Sequence, residues 1–223
     1  MNRRWYYVCF ILFIVIAALA GCGREEVIKN LNSKGKNIIC FGDSLTRGEG
    51  ASDVESYPAV LTKLINRQVL NAGASGETSG AALTRLDTDV LRKEPFLVIV
   101  ELGGNDFLQR LPMGDTVKNV ETIIAGSQNA GAAVALCDIS SGFVMAGYRD
   151  KFRQLAKKTG SIFIEGFYDN ILTNPDMNSD GIHPNAKGYE LLAGRVYKKL
   201  GEYFTFNPPS PRASARFFRP APF

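Results

Sequence analysis

The sequence predicts an α/β fold: one parallel sheet of five strands, covered on both faces by helices. Three observations predict it. Five short runs are almost wholly apolar, as strands buried on both faces are, whereas half-exposed strands alternate. Each run is followed by a segment of helical period or a long loop, the alternation that builds parallel sheets. The segments rich in Gly, Asn, Asp and Ser stand just after the runs, at the strand ends where such sheets bind ligands.

The elements follow in order. Arg3 and Arg4 precede sixteen apolar residues, Trp5 to Ala20, somewhat short of the roughly twenty that span a bilayer. The run closes in Leu19-Ala20-Gly21-Cys22, which resembles a bacterial lipoprotein signal, with residues 1–21 removed and Cys22 acylated. Residues 22–36 read as a lipidated N-terminus and polar tether, and residues 37–206 as one domain. Asn37–Phe41 is the first strand. Tyr57–Arg67 is a helix, with Val60 and Leu64 four apart, as are Leu61 and Ile65, and Pro58 in the first turn. Gln68–Leu70 is a short strand, and Ser79–Arg92 a helix carrying Leu83, Leu86 and Val90. Phe96–Glu101 (FLVIVE) is the clearest buried strand. Val117, Val120 and Ile124 mark a helix, Ala132–Asp138 a strand, and Tyr148, Phe152 and Leu155 a further helix. Ser161–Glu165 is the fifth strand. Asn185–Leu200 is the last helix, with Tyr189, Leu192 and Val196 on its apolar face. Residues 207–223 are rich in Pro and Arg, lack either period, and read as a disordered tail.

The chain carries a formal charge of +4. That excess resides in the two ends: Arg3 and Arg4 leave with the signal, and the tail holds Arg212, Arg216 and Arg219 with no acid. The body between is near neutral, which gives no sign of nucleic-acid binding. Cys9 leaves with the signal, and Cys40 and Cys137 sit inside apolar runs, as small hydrophobes do. One histidine and two separated thiols make no metal-ligand set, and no cofactor is implied.

That histidine, His183, is the only imidazole in the chain, so a serine hydrolase built on this sequence has one choice of base. It lies in Asp180-Gly181-Ile182-His183-Pro184. Gly42-Asp43-Ser44-Leu45-Thr46 follows the first strand, Asn71 to Ser79 the second, and Gly103-Gly104-Asn105-Asp106 the third. Each alone could be a cap or a turn. Together, in order and at the same strand ends, GDSLT, NAGASGETS, ELGGND and DGIHP resemble the four blocks of the SGNH (GDSL-type) hydrolases. The likeness spans roughly Asn37 to Leu200 and leans toward the bacterial thioesterase, lysophospholipase and arylesterase branch.

The resemblance implies a flavodoxin-like three-layer α/β/α sandwich and a serine hydrolase acting on acyl esters or thioesters, set in the bacterial cell envelope by its lipid. Gly23, not Asp, follows Cys22, which points to an outer membrane, facing the periplasm, where the organism has one. It implies Ser44 as nucleophile, His183 as base, and Asp180 as the acceptor that orients the imidazole. Ser44, Gly73 and Asn105 would donate to the substrate oxyanion. Asp176 is a rival to Asp180, but only Asp180 fits Asp-x-x-His. Asp43 would anchor the turn around Ser44, and Asp106 its own loop. Leu45, Phe107, Leu108 and Leu111 would line an acyl pocket or else pack as ordinary core, and Gly76–Ala82 would form a mobile lip. An α/β-hydrolase elbow is disfavoured, because Thr46 stands where Gly-x-Ser-x-Gly requires glycine. The segment Ile139–Tyr148 departs from the branch, which carries a longer Pro- and Asn-containing loop there; acyl preference is therefore open. Two rivals remain: a carbohydrate O-deacetylase using the same residues, and a non-catalytic surface lipoprotein, for which a complete nucleophile and base have no purpose.

Overall fold

The computed structural model describes residues 27–140 and 145–206. The expected signal peptide, Cys22 and the C-terminal tail lie outside the described residues, as do positions 141–144 of the divergent segment.

Five strands form one parallel sheet in the order β2-β1-β3-β4-β5. They are β1 (Asn37–Gly42), β2 (Val69–Gly73), β3 (Pro95–Glu101), β4 (Ala133–Cys137) and β5 (Ile162–Ile164). The helices are α1 (Ser44–Arg47), α2 (Tyr57–Ile65), α3 (Ser79–Ala82), α4 (Leu86–Asp89), α5 (Gly104–Leu108), α6 (Met113–Asn129), α7 (Ala146–Thr159) and α8 (Ala186–Leu200). Helices α2 and α8 pack together against the sheet, and α6 packs with α7. The strand order reverses between β1 and β3, which opens a crevice at their carboxyl ends. This is the covered parallel sheet that the sequence predicts, in the flavodoxin-like order that the resemblance implies.

The centre of the sheet is fully dry: Leu97, Val98, Ile99 and Val100 of β3 are all 0 % exposed. Burying each such side chain contributes about 1.5–3 kcal/mol. Four together rival the ~5–15 kcal/mol of net stability typical of a domain, so substitutions in β3 threaten the fold itself. Cys40 and Cys137 are buried and unpaired, and burial pushes the Cys40 thiol up to about 12.

Two differences from the sequence expectation affect the site. The helix expected over Ser79–Arg92 is broken into α3, α4 and two 3-10 turns. Arg85 lies at one break, with its guanidinium held by Glu77, Asp89 and the carbonyls of Ala72 and Gly42. Strand β2 runs on to Gly73, three residues past its expected end, and pairs Gly73 with Gly42.

The segment read as a tether is bonded to the body over residues 27–36. The Asn30 side chain donates to the carbonyls of Gln128 (2.9 Å) and Ala132 (3.0 Å), and the Lys29 N–H donates to the Gly160 carbonyl (2.9 Å). A Cβ on Gly35 would lie 2.1 Å from the Pro95 carbonyl oxygen. This part of the chain therefore runs beneath the amino ends of β5, β4 and β3. Among the described residues no helix is long and apolar enough to cross a membrane.

Candidate active site

Ser44 is placed by its neighbours. Gly42 ends β1 where a Cβ would meet Thr46 Oγ1 at 2.1 Å and the Glu101 carbonyl oxygen at 2.5 Å, so the chain can turn sharply only with glycine there. Asp43 caps α1 by accepting the Leu45 N–H at 2.9 Å. Gly48, at φ +105°, ends the helix and returns its N–H to the Ser44 carbonyl. Ser44 is thus the first residue of a one-turn helix, 9 % exposed, at the crevice between β1 and β3.

The sole histidine arrives from the far end of the chain. Its loop is closed by an Asn178–Pro184 bridge and by the Ser179 N–H donating to the His183 carbonyl at 2.9 Å. The Asp180 carboxylate accepts the N–H groups of Ile182 (3.0 Å) and His183 (2.8 Å) through one oxygen. Its other oxygen lies 2.7 Å from His183 Nδ1, and His183 Nε2 lies 3.1 Å from Ser44 Oγ. These bonds hold the Asp180 carboxyl well below its ordinary range, the ring bond first and the two backbone bonds next. An ionised Asp180 accepts the Nδ1–H hydrogen bond and so keeps the proton on Nδ1, which leaves Nε2 free to accept from the Ser44 hydroxyl. Asp176 serves the loop instead: its carbonyl accepts the Asn185 side chain at 3.0 Å.

Behind Ser44 stands a buried acid pair. Asp43 is 1 % exposed and Glu101 0 %. Burial, opposed by the bonds from Leu45 and Asn105 and by the nearby His183, pushes Asp43 up to about 6. Burial and the Asp43 charge together push Glu101 well above the carboxylate range, so Glu101 is the protonated partner. It accepts the Thr46 hydroxyl at 2.8 Å.

Asn105, the second residue of α5, donates its amide to Asp43 Oδ2 (3.0 Å) and to the Glu77 carbonyl (3.1 Å). Both amide protons are therefore engaged, and an incoming oxyanion would have to displace one of these acceptors. Gly73 does not fill its expected place. Its N–H is already donated to Asn71 Oδ1 at 3.0 Å, and a Cβ there would sit 2.2 Å from the Arg47 nitrogen. It is glycine because strand β2 packs against α1. The glycine of this block that lines the cavity is Gly76, at φ +74° with open space where a Cβ would be. Its proximity to Ser44 and Asn105 was hidden in a sequence block holding two glycines three residues apart.

The cavity beside Ser44 has a volume of about 670 Å³. Leu45, Phe107 and Leu108 line it as expected, whereas Leu111 is 41 % exposed and does not. Sequence reasoning missed Ile139, Met145, Tyr168 and Leu172. These residues follow β4 and β5, so the rule that ligands sit at carboxyl ends was the signal available. Asp106 also differs: it accepts from the Ser79 N–H (2.7 Å), the Ser79 hydroxyl and Thr116 Oγ1 (3.1 Å), tying α3 and α6 to α5 rather than holding its own loop. With Glu77 paired to Arg85 as well, the expected mobile lip is pinned from residue 77 onward. Among the described residues no group of three His, Cys, Asp or Glu is arranged for a metal ion.

Residues 40–191 match the model of the GDSL-like lipase/acylhydrolase family. The chain is similar to the thioesterase 1/protease 1/lysophospholipase L1 of Escherichia coli K12, with 30 % identity over 174 residues, 73 % of this chain and 82 % of that one. It is also similar to a Bacillus subtilis protein described as an uncharacterized lipoprotein, YqeF, at 33 % identity over 45 % of this chain and 40 % of the other. Among solved structures, the psychrotrophic esterase EstA of Pseudoalteromonas, inhibited by monoethylphosphonate, superposes with a TM-score of 0.68. That match has 29 % identity over 75 % of this chain and 97 % of that one.

Proposed function

This chain belongs to the GDSL-like lipase/acylhydrolase family, hydrolases of ester bonds, and from that premise we propose that it is a lipid-anchored serine esterase working through Ser44, His183 and Asp180. The observation that carries the reading is the unbroken chain of contacts from Ser44 Oγ to His183 Nε2 (3.1 Å) and from His183 Nδ1 to Asp180 (2.7 Å), beside a largely apolar cavity.

In this reading Ser44 Oγ attacks the acyl carbon while His183 Nε2 takes its proton. The same proton passes to the departing alcohol or thiol, leaving an acyl-Ser44 ester. Water, deprotonated by His183, then releases the acid and restores the serine. The N–H groups of Ser44 and Gly76 would donate to the tetrahedral oxygen. The Asn105 amide would join them by turning from the Glu77 carbonyl; such a donor is worth about a hundredfold to a thousandfold in rate. Leu45, Phe107 and Leu108 would hold the acyl group, which favours chains longer than acetate over the sugar-acetate alternative.

Acylation of Cys22 is supported by the Leu-Ala-Gly-Cys sequence and by the partial likeness to a bacillary lipoprotein. It would hold the enzyme at the cell envelope, on the periplasmic face of an outer membrane where there is one. A fluorophosphonate probe is expected to label Ser44 in the native protein and not in Ser44→Ala. Well-folded native protein that takes no label would overturn the reading. A p-nitrophenyl ester series is expected to peak beyond acetate; strict acetate preference would shift the assignment to deacetylation.

A further inference from the structure

The two edges of the sheet differ in charge and in distance from Cys22. The edge at the amino ends of the strands carries Lys34 and Lys36 on the docked segment, Lys93 before β3, and Lys157 and Lys158 in the last turn of α7. All are exposed. Glu94 and Glu121 are the acids paired with Lys36 and Lys158. The described chain also ends at this edge, where Phe206 packs on Phe204 and Phe204 on Phe96. The residues beyond it hold Arg212, Arg216 and Arg219 and no acid. The opposite edge, around the cavity mouth, exposes Glu49, Asp53, Asp115, Asp176 and Asp180 against Arg47, Arg110 and Lys187, with Arg47 paired to Asp53.

Lipid attachment at Cys22 leaves little slack. Residues 23–26 alone separate Cys22 from Val27, whose carbonyl lies against Gly160 at the amino edge. Five peptide steps reach at most ~18 Å. Ser44 stands about 20 Å up the sheet from that edge at ~3.3 Å per strand residue, and the mouth lies beyond it. Leu108 and Ile182, 59 % and 50 % exposed beside the mouth, would suit a lipid surface on their own. So short a linker cannot lower them into the bilayer that holds Cys22.

We propose that the basic amino edge of the sheet is the face that lies on the anchoring bilayer, with anionic phospholipid headgroups as its partner, and that the cavity mouth opens away from that bilayer. The inference rests on the acylation of Cys22 and adds a direction to it. A diacylglyceryl cysteine holds the chain to the bilayer by itself; a basic patch adds attraction to anionic headgroups and so selects which face lies on them. The substrates are then esters or thioesters that arrive from water or from a facing surface, and not lipids drawn from the anchoring leaflet.

The test uses the full lipidated protein in vesicles of phosphatidylcholine, with and without phosphatidylglycerol, containing a headgroup-labelled acceptor lipid. A fluorescent donor is placed on Asn32→Cys at the basic edge or on Thr173→Cys at the mouth; Cys40 and Cys137 are 0 % exposed and stay unlabelled. Energy transfer from position 32 is expected to exceed that from position 173 several-fold and to rise when phosphatidylglycerol is added. Replacing Lys34, Lys93, Lys157 and Lys158 together by Gln is expected to abolish that rise while soluble-ester hydrolysis is unchanged. Equal or greater transfer from position 173 overturns the orientation, and a native protein indifferent to phosphatidylglycerol overturns the anionic partner. The mass of the N-terminal peptide separates these failures from that of the premise: an unmodified Cys22 removes the anchor and the proposal with it.

Discussion

Two carboxylates stand on either side of Ser44 in opposite surroundings. Asp43, behind it, is 1 % exposed, and burial pushes its carboxyl up to about 6. Asp180, reached through His183, has a side chain 54 % exposed and is held well below the ordinary range by donors on its own loop. The difference shows how the fold divides its work. An acid that must stay charged while an imidazole gains and loses a proton is left near water and given N–H donors. An acid that must hold a turn and an amide in place is buried, given neutral donors, and set beside a protonated Glu101 that adds no second charge. Desolvation wins behind the serine; hydrogen bonding wins in front of it.

The sharpest way to break this comparison is to remove the group that the front acid serves. His183→Ala is expected to lower kcat by about a million-fold, the loss typical when the base of such a triad is deleted. Its melting temperature should stay close to native, since His183 sits on an irregular loop and not in the core. Steady-state rates on a soluble ester, with calorimetry alongside, check both halves. Retention of even a hundredth of native activity would mean that another base serves.

Asp180→Asn comes next, at about ten-thousand-fold. The amide oxygen can still accept the N–H groups of Ile182 and His183, so the loop should hold while the ring loses its anionic partner. A loss as small as tenfold would make Asp180 a loop-builder rather than the partner of the imidazole. Asn105→Ala, which removes the amide bonded to Asp43, is expected to cost about a hundredfold to a thousandfold in kcat with KM little changed. A rise in KM alone would place the amide in substrate binding.

How far the sequence could be read follows the same division. Strands β1, β3 and β4 were legible because burial on both faces leaves uninterrupted apolar runs; FLVIVE could hardly be anything else, whereas the edge strand β2, with Asn71 exposed, was read three residues short. Ser44, Asp180 and His183 were legible because each lies in a short motif whose partners are local: the cap on α1, the Asp-x-x-His turn. What was not legible depends on long-range contacts. Gly73 and Gly76 are both glycines in one block, and only the packing of β2 against Arg47 separates the one that fills space from the one that opens onto the cavity. Asp106 looked like a local turn residue because Ser79 and Thr116, its actual partners, lie 27 and 10 positions away. The break at Arg85 arises from carbonyls and carboxylates on other elements, which helical period cannot reveal. Residues 27–36 looked like a tether because polarity was their only sequence signal, while their docking depends on carbonyls of α6 and of the segments before β4 and β5.

The smallest expected effect concerns the buried acid itself. Asp43 titrates in the folded protein at about 6 and near 4 in an unfolded chain. On acidification the folded state therefore takes up its proton first, and stability is gained. That gain is complete below the unfolded value and is lost again as pH rises through about 6. Between about pH 7 and about pH 5 it amounts to about 1 kcal/mol, or about 2–4 °C in Tm for a domain of this size. Asp180 does not enter this window, because its stabilisation fades only as pH falls below the ordinary carboxylate range. In Asp43→Asn the side chain has no proton to take up, and its oxygen can still accept from Leu45. A second amide now meets Asn105, which lowers Tm by a pH-independent amount. The gap between native and variant melting temperatures should thus widen by those few degrees on acidification from about pH 7 to about pH 5. Glu101→Gln, which exchanges one neutral group for another, should leave a rise in Tm on acidification in place. Parallel melting curves for native protein and Asp43→Asn would mean that Asp43 is ionised at no cost, and the contrast with Asp180 would then come from exposure alone.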